Sequence, residues 1–233
     1  MSKDLLLEIG TEEIPAHAMP GMLKELGENA KKALKELRLA HGAVRTLGTP
    51  RRLALVVEGL AEKQEDVAEE KRGPSVQVAF DAAGKPTKAA EGFARGQGLK
   101  AQDLVVRDGY VYALVEEAGE SAEKVLAKML PELISGLPLP NSMRWGDLDF
   151  RFIRPLRWLV ALYGDRIVPF ELACVKSGNT SRGHRFLSTG DFTIEDAAHY
   201  EEACEKAFVI VDPARRKALI EEGLVEAAKA HGG

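Results

Sequence analysis

Cysteine is scarce in this sequence. The 233 residues include two, Cys174 and Cys204, and neither has another cysteine three positions away. That spacing excludes a Cys-x-x-Cys zinc site, and two distant thiols do not form the disulfide framework of a small secreted domain. We therefore expect two buried thiols in a reducing compartment and no metal site.

Long apolar runs are also missing. No segment approaches the roughly 20 apolar residues that span a bilayer. The first four residues, MSKD, precede an apolar stretch that is too short for the core of a signal peptide. We expect a soluble cytoplasmic protein that has no membrane partner.

An excess of positive charge is the third absence. Lysine and arginine number 32 against 36 aspartates and glutamates, which gives a formal net charge of −4 and a pI near 5.8. A protein that grips nucleic acid along its whole surface is usually basic. Any contact with RNA must therefore be local and built from clustered arginines.

What is present is an irregular succession of strand and helix patterns, which predicts an α+β fold with mixed or antiparallel sheets and packed helices. Strands are predicted at residues 5–9, 43–47, 52–60, 104–107, 110–116, 152–163, 167–175, 180–186 and 208–211. Helices are predicted at residues 16–39, 87–98, 122–134, 195–206 and 213–231. Turns are predicted at residues 71–74 and 81–86, and the acidic stretch 62–70 is expected to face solvent.

Two subdomains are predicted. Pro138 and Pro140 interrupt the pattern after the helix at 122–134. We place the boundary there, with an N-terminal α+β subdomain at residues 1–138 and a second at residues 139–233 that ends in a helix.

Clustered arginines are the main candidates for a binding site. Several have aromatic neighbours in sequence, and arginine both binds phosphate through a bidentate fork and stacks on bases. The candidate contact residues are Arg51, Arg52, Arg144, Arg154, Arg157, Arg182, His184 and Arg185. The alternative is structural, because arginine also pairs with carboxylates and tryptophan is usually core.

No catalytic centre is predicted. Glu13 and His17 are four positions apart, but no third ligand or partner carboxylate can be named for them. The glycines between residues 92 and 98 fit neither a dinucleotide fingerprint nor a P-loop. His184 has no serine or cysteine nucleophile that the sequence places beside it, so a structural role is favoured.

An ordered set of motifs resembles the beta subunit of the bacterial two-subunit glycyl-tRNA synthetase. The motifs are LLEIGTEEIP at 6–15, TPRRLA at 49–54, KRGP at 71–74, GKPTKAAEGFARG at 84–96, MRWG at 143–146, FIRPLRW at 152–158 and RGHRF at 182–186. Each short motif is weak alone, but their order along nearly the whole chain is specific. The resemblance covers the N-terminal part of that longer subunit.

The resemblance implies a region of an aminoacyl-tRNA synthetase that helps attach glycine to tRNA. The alpha subunit of such a complex uses ATP and Mg²⁺, whereas this chain is expected to bind no cofactor. Expected partners are the alpha subunit and tRNA, within a heterotetramer of two alpha and two beta subunits. The family's HD-type and anticodon-binding domains are expected to be absent here, and the sequence has no His-Asp dipeptide.

Three functional hypotheses remain open. The first is a non-catalytic region that positions tRNA or docks the alpha subunit, which lowers the entropic cost of transfer. The second is an independent hydrolytic or editing domain that acts on mischarged tRNA. The third is a structural scaffold whose arginines join domains.

Overall fold

The computed structural model describes residues 2–81, 83–139 and 141–232, and it confirms the α+β class. The strands are β1 (Lys3–Thr11), β2 (Val44–Thr49), β3 (Arg52–Leu60), β4 (Val67–Ser75), β5 (Val105–Arg107), β6 (Tyr110–Glu117), β7 (Leu156–Tyr163), β8 (Arg166–Ile167), β9 (Glu171–Leu172), β10 (Val175–Gly178), β11 (Thr180–Arg182) and β12 (Asp191–Thr193). The α-helices are α1 (Met19–Glu36), α2 (Val76–Ala79), α3 (Lys88–Gly96), α4 (Ala122–Ser135), α5 (Tyr200–Lys206) and α6 (Pro213–Ala230).

The chain forms two compact units. The first contains Met1–Lys63 and Ser121–Gly233, and the second contains Gln64–Glu120. The predicted boundary at 138/139 falls inside the first unit. The reason is long-range pairing, because β7 lies far beyond that boundary and pairs with β1.

The first unit is built on a seven-stranded sheet. Its order is β2-β3-β1-β7-β10-β9, with β8 paired to β7. Strand β1 lies between β3 and β7 and is antiparallel to both. Both edges of β1 are paired and both of its faces are covered by apolar cores, so its residues from Leu5 to Thr11 are buried. This explains why the apolar run at its start is continuous rather than alternating.

The two faces of β1 belong to different cores. Leu5, Leu7 and Ile9 pack in the larger core with α1 and α4. Leu6 packs on the opposite face in a smaller core that includes Tyr200 of α5. Successive strand residues point to opposite faces. Glu8 therefore lies on the face of Leu6, and its carboxylate is buried there.

Helix α1 covers the larger core as its periodicity predicts. Met22, Leu26, Ala30 and Leu34 recur at intervals of four, and all are buried. The predicted helix at 16–39 is therefore confirmed with shorter ends. Among the described residues, no helix combines the length and apolar content needed to cross a membrane.

The second unit contains an antiparallel sheet with the order β4-β6-β5. The hairpin between β5 and β6 is confirmed. Its turn residues Asp108 and Gly109 have φ values of 54° and 77°, the positive φ that a two-residue hairpin requires. The apolar core of this unit is small and contains Ala90, Ala94 and Val111.

The prediction of a turn at residues 71–74 is wrong, since that segment lies inside β4. Lys71 and Arg72 pair with β6, and the register shifts between Arg72 and Ser75. This irregularity accommodates Pro74, which has no N–H to donate to a ladder. The acidic stretch before it also enters β4, and residues 68–72 are exposed there, so the expectation that it faces solvent is met.

Two further strand predictions are wrong. Residues 208–211 are irregular, because Phe208 adopts φ of 60° directly after α5. Residues 167–175 form short strands rather than one, because Ala173 and Cys174 have φ values of 51° and 62° and turn the chain between β9 and β10. Cys174 is therefore exposed at a turn, contrary to the prediction, whereas Cys204 is buried.

Candidate functional site

Trp158 of β7 is the residue around which the site is arranged. It is the cross-strand partner of Gly10 in β1. A Cβ added at Gly10 would lie 1.9 Å from the indole Cδ2 atom, so the ring occupies the space that any larger residue would fill. The glycine therefore allows the indole to lie flat against the sheet.

A buried hydrogen-bond network lies on one side of this ring. We call it the Glu8 network, and its members are Glu8, Arg52, Trp158, Ser181 and Tyr200. The Glu8 carboxylate accepts hydrogen bonds from Trp158 Nε1, from the Tyr200 hydroxyl and, at 2.5 Å, from Ser181 Oγ. Arg52 Nη1 lies 3.4 Å from the same carboxylate. Each of these residues is at most 7% exposed, so the carboxylate finds its hydrogen-bond donors inside the protein. The buried Nε of Arg52 has no hydrogen-bond partner among the described residues.

The Arg52 guanidinium makes its contacts within this internal network. Its Nη2 donates to the carbonyl oxygen of Arg182 at 2.5 Å, and its Nη1 also lies 3.8 Å from Cys204 Sγ. Burial lowers the pKa of the Arg52 guanidinium, but Glu8, Tyr200 and Cys204 together outweigh this effect, and the pKa is raised. The paired charge therefore belongs to the fold.

Burial also raises the pKa values of two weak acids beside the Glu8–Arg52 pair, namely Tyr200 and Cys204. Desolvation, followed by the charge of Glu8, raises the pKa of the Tyr200 hydroxyl well above its usual 10. The same two causes raise the pKa of the Cys204 thiol to about 12. Both groups are protonated near neutral pH, so neither is an activated nucleophile.

An open pocket of about 340 Å³ lies beside the network. We call it the Arg51 pocket. It is lined by Glu13, Thr49, Pro50, Arg51, Arg52, Gly183, His184, Arg185, Phe186, Phe208, Val209, Ile210 and Arg216. The tight connection between β2 and β3 supplies Arg51, and the segments after β11 and α5 supply most of the remainder.

Positive charge in this pocket is incompletely neutralised. Burial lowers the pKa of Arg51, and repulsion from Arg185, Arg182 and Arg52 lowers it further, against the opposing charge of Glu12. The buried Nε of Arg51 has no hydrogen-bond partner among the residues that the structure describes. A guanidinium held among like charges favours an incoming anion.

The other arginines of the pocket have partners in the protein. Arg185 Nη1 lies 3.8 Å from the carboxylate of Glu13. Arg216 Nη1 donates to the carbonyl oxygens of Gly48 at 3.0 Å and Ile210 at 2.6 Å. Arg51 is thus the cation of the pocket best placed to bind an added group.

His184 is oriented by its own loop. Its Nδ1 lies 3.2 Å from the backbone nitrogens of Phe186 and Leu187, and accepts from both. The neutral ring therefore carries its proton on Nε2. Gly183 permits the loop to close, because a Cβ there would lie 2.1 Å from Ser188 Oγ.

Exposed aromatic rings complete the pocket. Phe186 is 83% exposed and Phe208 is 58% exposed. Phe208 N donates to the carbonyl of Glu205 and Val209 N to that of Cys204, both at 2.9 Å. This is the hydrogen-bonded end of a helix at which a left-handed glycine is usual. A phenylalanine in that conformation is strained, and its ring faces solvent rather than the core.

The structure brings together four of the eight predicted contact residues in this pocket, namely Arg51, Arg52, His184 and Arg185. Arg182 is close by, with its guanidinium carbon 5.2 Å from the centroid of the Trp158 ring. Its Nε lies 3.5 Å from the Asp191 carboxylate.

The other three predicted contact residues lie outside the pocket. Arg154 donates to the backbone carbonyls of Glu13 at 3.0 Å and Ile153 at 2.8 Å, which is a structural role. Arg157 Nε lies 3.2 Å from the Glu12 carboxylate.

Arg144, the third of them, is largely exposed, and its Nη1 lies 3.4 Å from the Asp149 carboxylate. Exposed ion pairs of this kind are weak and open to exchange. Arg144 and Arg157 therefore keep surface positions from which they can meet a partner.

Sequence reasoning missed Glu8, Phe208 and Arg216. Glu8 stands in an otherwise apolar central strand, and a charge there signals a buried partner. Phe208 lies in a segment whose apolar pattern predicted a strand. Arg216 is one of several charged residues on a predicted helix, and nothing in the sequence distinguished it from the others. Within the described residues, no group of three or more histidine, cysteine, aspartate or glutamate side chains is arranged to hold a metal.

These features define an α+β protein with a buried polar network and a cationic, aromatic-lined binding pocket. Residues 5–233 match the family model described as glycyl-tRNA synthetase beta subunit, and the chain belongs to that family.

Curated relatives agree with this assignment. The chain is 49% identical over 237 residues to the glycine–tRNA ligase beta subunit of Desulforamulus reducens, and 48% identical to that of Geobacter sulfurreducens. Each alignment covers 100% of this chain and 34% of the relative. The relative from Citrifermentans bemidjiense is 45% identical over 98% of this chain. The chain thus spans about a third of the length of the relatives it matches.

Proposed function

We propose that this chain is a tRNA-contacting and assembly region of a glycyl-tRNA synthetase beta subunit. It supports the ATP-dependent attachment of glycine to tRNA, and the alpha subunit carries out the chemistry with ATP and Mg²⁺. The chain positions its partners and supplies no reacting group. The working complex is a cytoplasmic heterotetramer of two alpha and two beta subunits.

One observation carries this proposal, namely the incompletely neutralised cation in the Arg51 pocket. A polyanion such as tRNA is drawn to such a cation, and its phosphates replace the missing counter-charge. The protein as a whole is acidic, so the attraction is confined to this surface. The proposed RNA contact is therefore local rather than global.

The unit that contains the pocket also has the more suitable charge. The second unit, Gln64–Glu120, contains seven lysines and arginines against eleven aspartates and glutamates. The remainder of the chain contains twenty-five of each, so it is neutral. We therefore assign the principal RNA contact to the first unit.

Glycine charging of tRNA tests the proposal. The alpha and beta subunits of the Desulforamulus reducens relative serve as the positive reaction, and the alpha subunit alone as the negative one. The third reaction contains a chimeric beta subunit whose matching N-terminal part is replaced by this chain. The chimera is expected to restore charging, and Arg51→Met in the chimera to raise KM for tRNA. Full activity of a beta subunit that lacks this part altogether would overturn the proposal.

A hydrolytic role has less support from the pocket. Thr49 is its hydroxyl-bearing lining residue, and no serine or cysteine is among those that line it. Incubation of the chain with mischarged tRNA tests this alternative. Release of the amino acid, abolished by His184→Ala, would replace the positioning role with an editing role. A structural-scaffold role is favoured for Arg52, which is buried in the Glu8 network, and for Arg154, whose hydrogen bonds go to backbone carbonyls.

A further inference from the structure

The Arg51 pocket has the size of a small-molecule site. Its volume of about 340 Å³ is at the lower end of the roughly 300–1,000 Å³ range of ligand pockets. A nucleic-acid duplex does not enter a space of this size, because its bases are stacked and paired inside the helix. The volume is on the scale of a single small ligand, such as one nucleotide turned out of the stack.

The chemistry of the lining has two halves. Arg51 provides a guanidinium that is influenced by three other arginines and by one carboxylate, Glu12, and this excess of positive charge suits one phosphate group. Phe208 and Phe186 provide exposed ring faces, which suit a planar base. A phosphopeptide would account for the cationic contact at Arg51 but would leave the exposed aromatic rings without a role.

The backbone at Phe208 adds an independent argument. Phe208 follows the C-terminal cap of α5 and has φ of 60°, in a position where glycine is relaxed and phenylalanine is strained. The ring gains little from burial there, since it is 58% exposed. A strained aromatic that projects into a pocket is accounted for by a ligand that stacks on it.

From these observations we propose that the Arg51 pocket takes one unpaired ribonucleotide, with its phosphate at Arg51 and its base against the ring of Phe208. This inference rests on the proposed tRNA-contacting function and names the part of the RNA that the pocket receives. His184 presents its Nε2 proton as a donor for the edge of the base or for the ribose.

Fluorescence anisotropy with labelled RNA tests the assignment. The probes are a single-stranded oligoribonucleotide of about ten nucleotides, which is within the range of known single-strand sites, and a blunt duplex of the same sequence. The unaltered 233-residue chain is expected to bind the single strand more tightly than the duplex. Equal affinity, or preference for the duplex, would overturn the proposal.

Phe208→Gly separates binding from folding. Glycine relaxes the left-handed position, so the thermal midpoint of the variant is expected to stay the same or rise. Loss of the stacking face is expected to weaken single-strand binding about 5- to 150-fold. An undiminished affinity for the single strand would show that the ring does not meet a base.

Arg51→Met tests the phosphate half. The slope of log K against log salt is expected to fall by about 0.7 for single-stranded RNA, because one phosphate contact is lost. Arg95→Met is the matched control, since Arg95 is exposed in α3, outside the pocket, and its slope is expected to match that of the unaltered chain. Equal slopes for both variants would remove Arg51 from the site.

Two further outcomes distinguish failure of the nucleotide pocket from failure of the proposed tRNA-contacting function. If the unaltered chain binds a full tRNA transcript but shows no preference for single strands, the tRNA-contacting role stands and the nucleotide pocket is overturned. If it binds neither tRNA nor oligoribonucleotide, both are overturned. Displacement of the bound single strand by a phosphoserine peptide as effectively as by unlabelled RNA would replace the nucleotide with a phosphopeptide.

Discussion

Two neighbouring arginines, Arg51 and Arg52, lie in regions of opposite character around the same tryptophan. In the Glu8 network, Arg52 is 3% exposed and faces a carboxylate and a carbonyl oxygen. In the Arg51 pocket, the guanidinium of Arg51 is repelled by Arg185, Arg182 and Arg52 and is opposed by one carboxylate, Glu12. The two residues have the same chemistry and adjacent positions. The difference comes from the groups that surround each guanidinium, which are a buried carboxylate for Arg52 and mainly other cations for Arg51.

The comparison teaches that the surroundings of an arginine decide whether it stabilises the fold or binds a ligand. A buried cation that is paired and hydrogen-bonded has little left to offer a partner, and removing its counter-charge is costly. A cation with like-charged neighbours gains most from an added anion. The contrast between Arg51 and Arg52 can be tested by changes in stability.

The largest effect is expected for Glu8→Ala. The change leaves Arg52 as an uncompensated buried charge and removes the acceptor for Trp158, Ser181 and Tyr200. We expect a loss of about 3–5 kcal/mol in the free energy of unfolding, measured by urea denaturation.

Glu12→Ala is the control for this change, because it removes an acid from an ion pair with Arg157 in which both side chains are more than a third exposed. The expected loss is below about 1 kcal/mol. Similar losses for the two variants would show that the Glu8 network is no more important than a surface pair.

A smaller loss is expected for Gly10→Ala. The new methyl group would lie 1.9 Å from Trp158 Cδ2, so the indole must move away from both the network and the pocket. Overpacking of this kind costs about 1–3 kcal/mol. Gly21→Ala in α1 is the matched control, since nothing lies within 4 Å of its added Cβ and alanine favours the helix. If both variants were equally stable, the close approach of Trp158 would be refuted.

Alkaline pH is expected to weaken the Glu8 network selectively. In the folded protein, the pKa of Tyr200 is raised well above 10 and that of Cys204 is raised from 9.0 to about 12. Unfolding therefore releases protons at high pH. The stability that these groups contribute is complete below their unfolded pKa and is lost as pH rises toward the folded pKa.

For Cys204 the window runs from about pH 9 to 12. Raising the pH from about 9 to about 10 is expected to lower the free energy of unfolding by roughly 1 kcal/mol, within the limit of about 1.4 kcal/mol per group. Urea unfolding of the chain and of Cys204→Ala at both pH values measures the contribution of the thiol. The variant is expected to lose less stability, and an identical loss would contradict the assignment to Cys204.

The smallest effect on stability is expected for Arg51→Met. Because its neighbours repel it, the free energy of unfolding should change by no more than about 0.5 kcal/mol in either direction. Thermal unfolding at low and moderate salt measures this. A large loss would place Arg51 in the structural network with Arg52 and would break the comparison.

The sequence predicted much of the local structure, for local reasons. The apolar spacing of α1 and the Asp108-Gly109 turn each depend on neighbours a few residues apart, and both are confirmed. One error arose where distant pairing prevailed, and another where the end of a helix turned the chain. Segment 71–74 became part of β4 because β6 was available, and residues 208–211 left the strand pattern because α5 ended in a left-handed residue.

The candidate site was predictable only in part. Clustered arginines and the motif at 182–186 pointed to loops that line the Arg51 pocket, because arginine-rich segments signal anion contacts. Their division into structural and exposed members was not predictable. It depends on Glu8, which is 44 residues from Arg52 in sequence and 192 from Tyr200.

By itself, the amino-acid sequence determined the α+β class, most of the helices, the family, and the need for any RNA contact to be local. These follow from composition, periodicity and ordered motifs, which are properties of short segments. Only the tertiary structure decided that Arg52 is internal while Arg51 faces a pocket, and that Phe208 stands at its edge. The physical reason is that the charge and burial around a side chain are set by strands and loops that are distant in sequence.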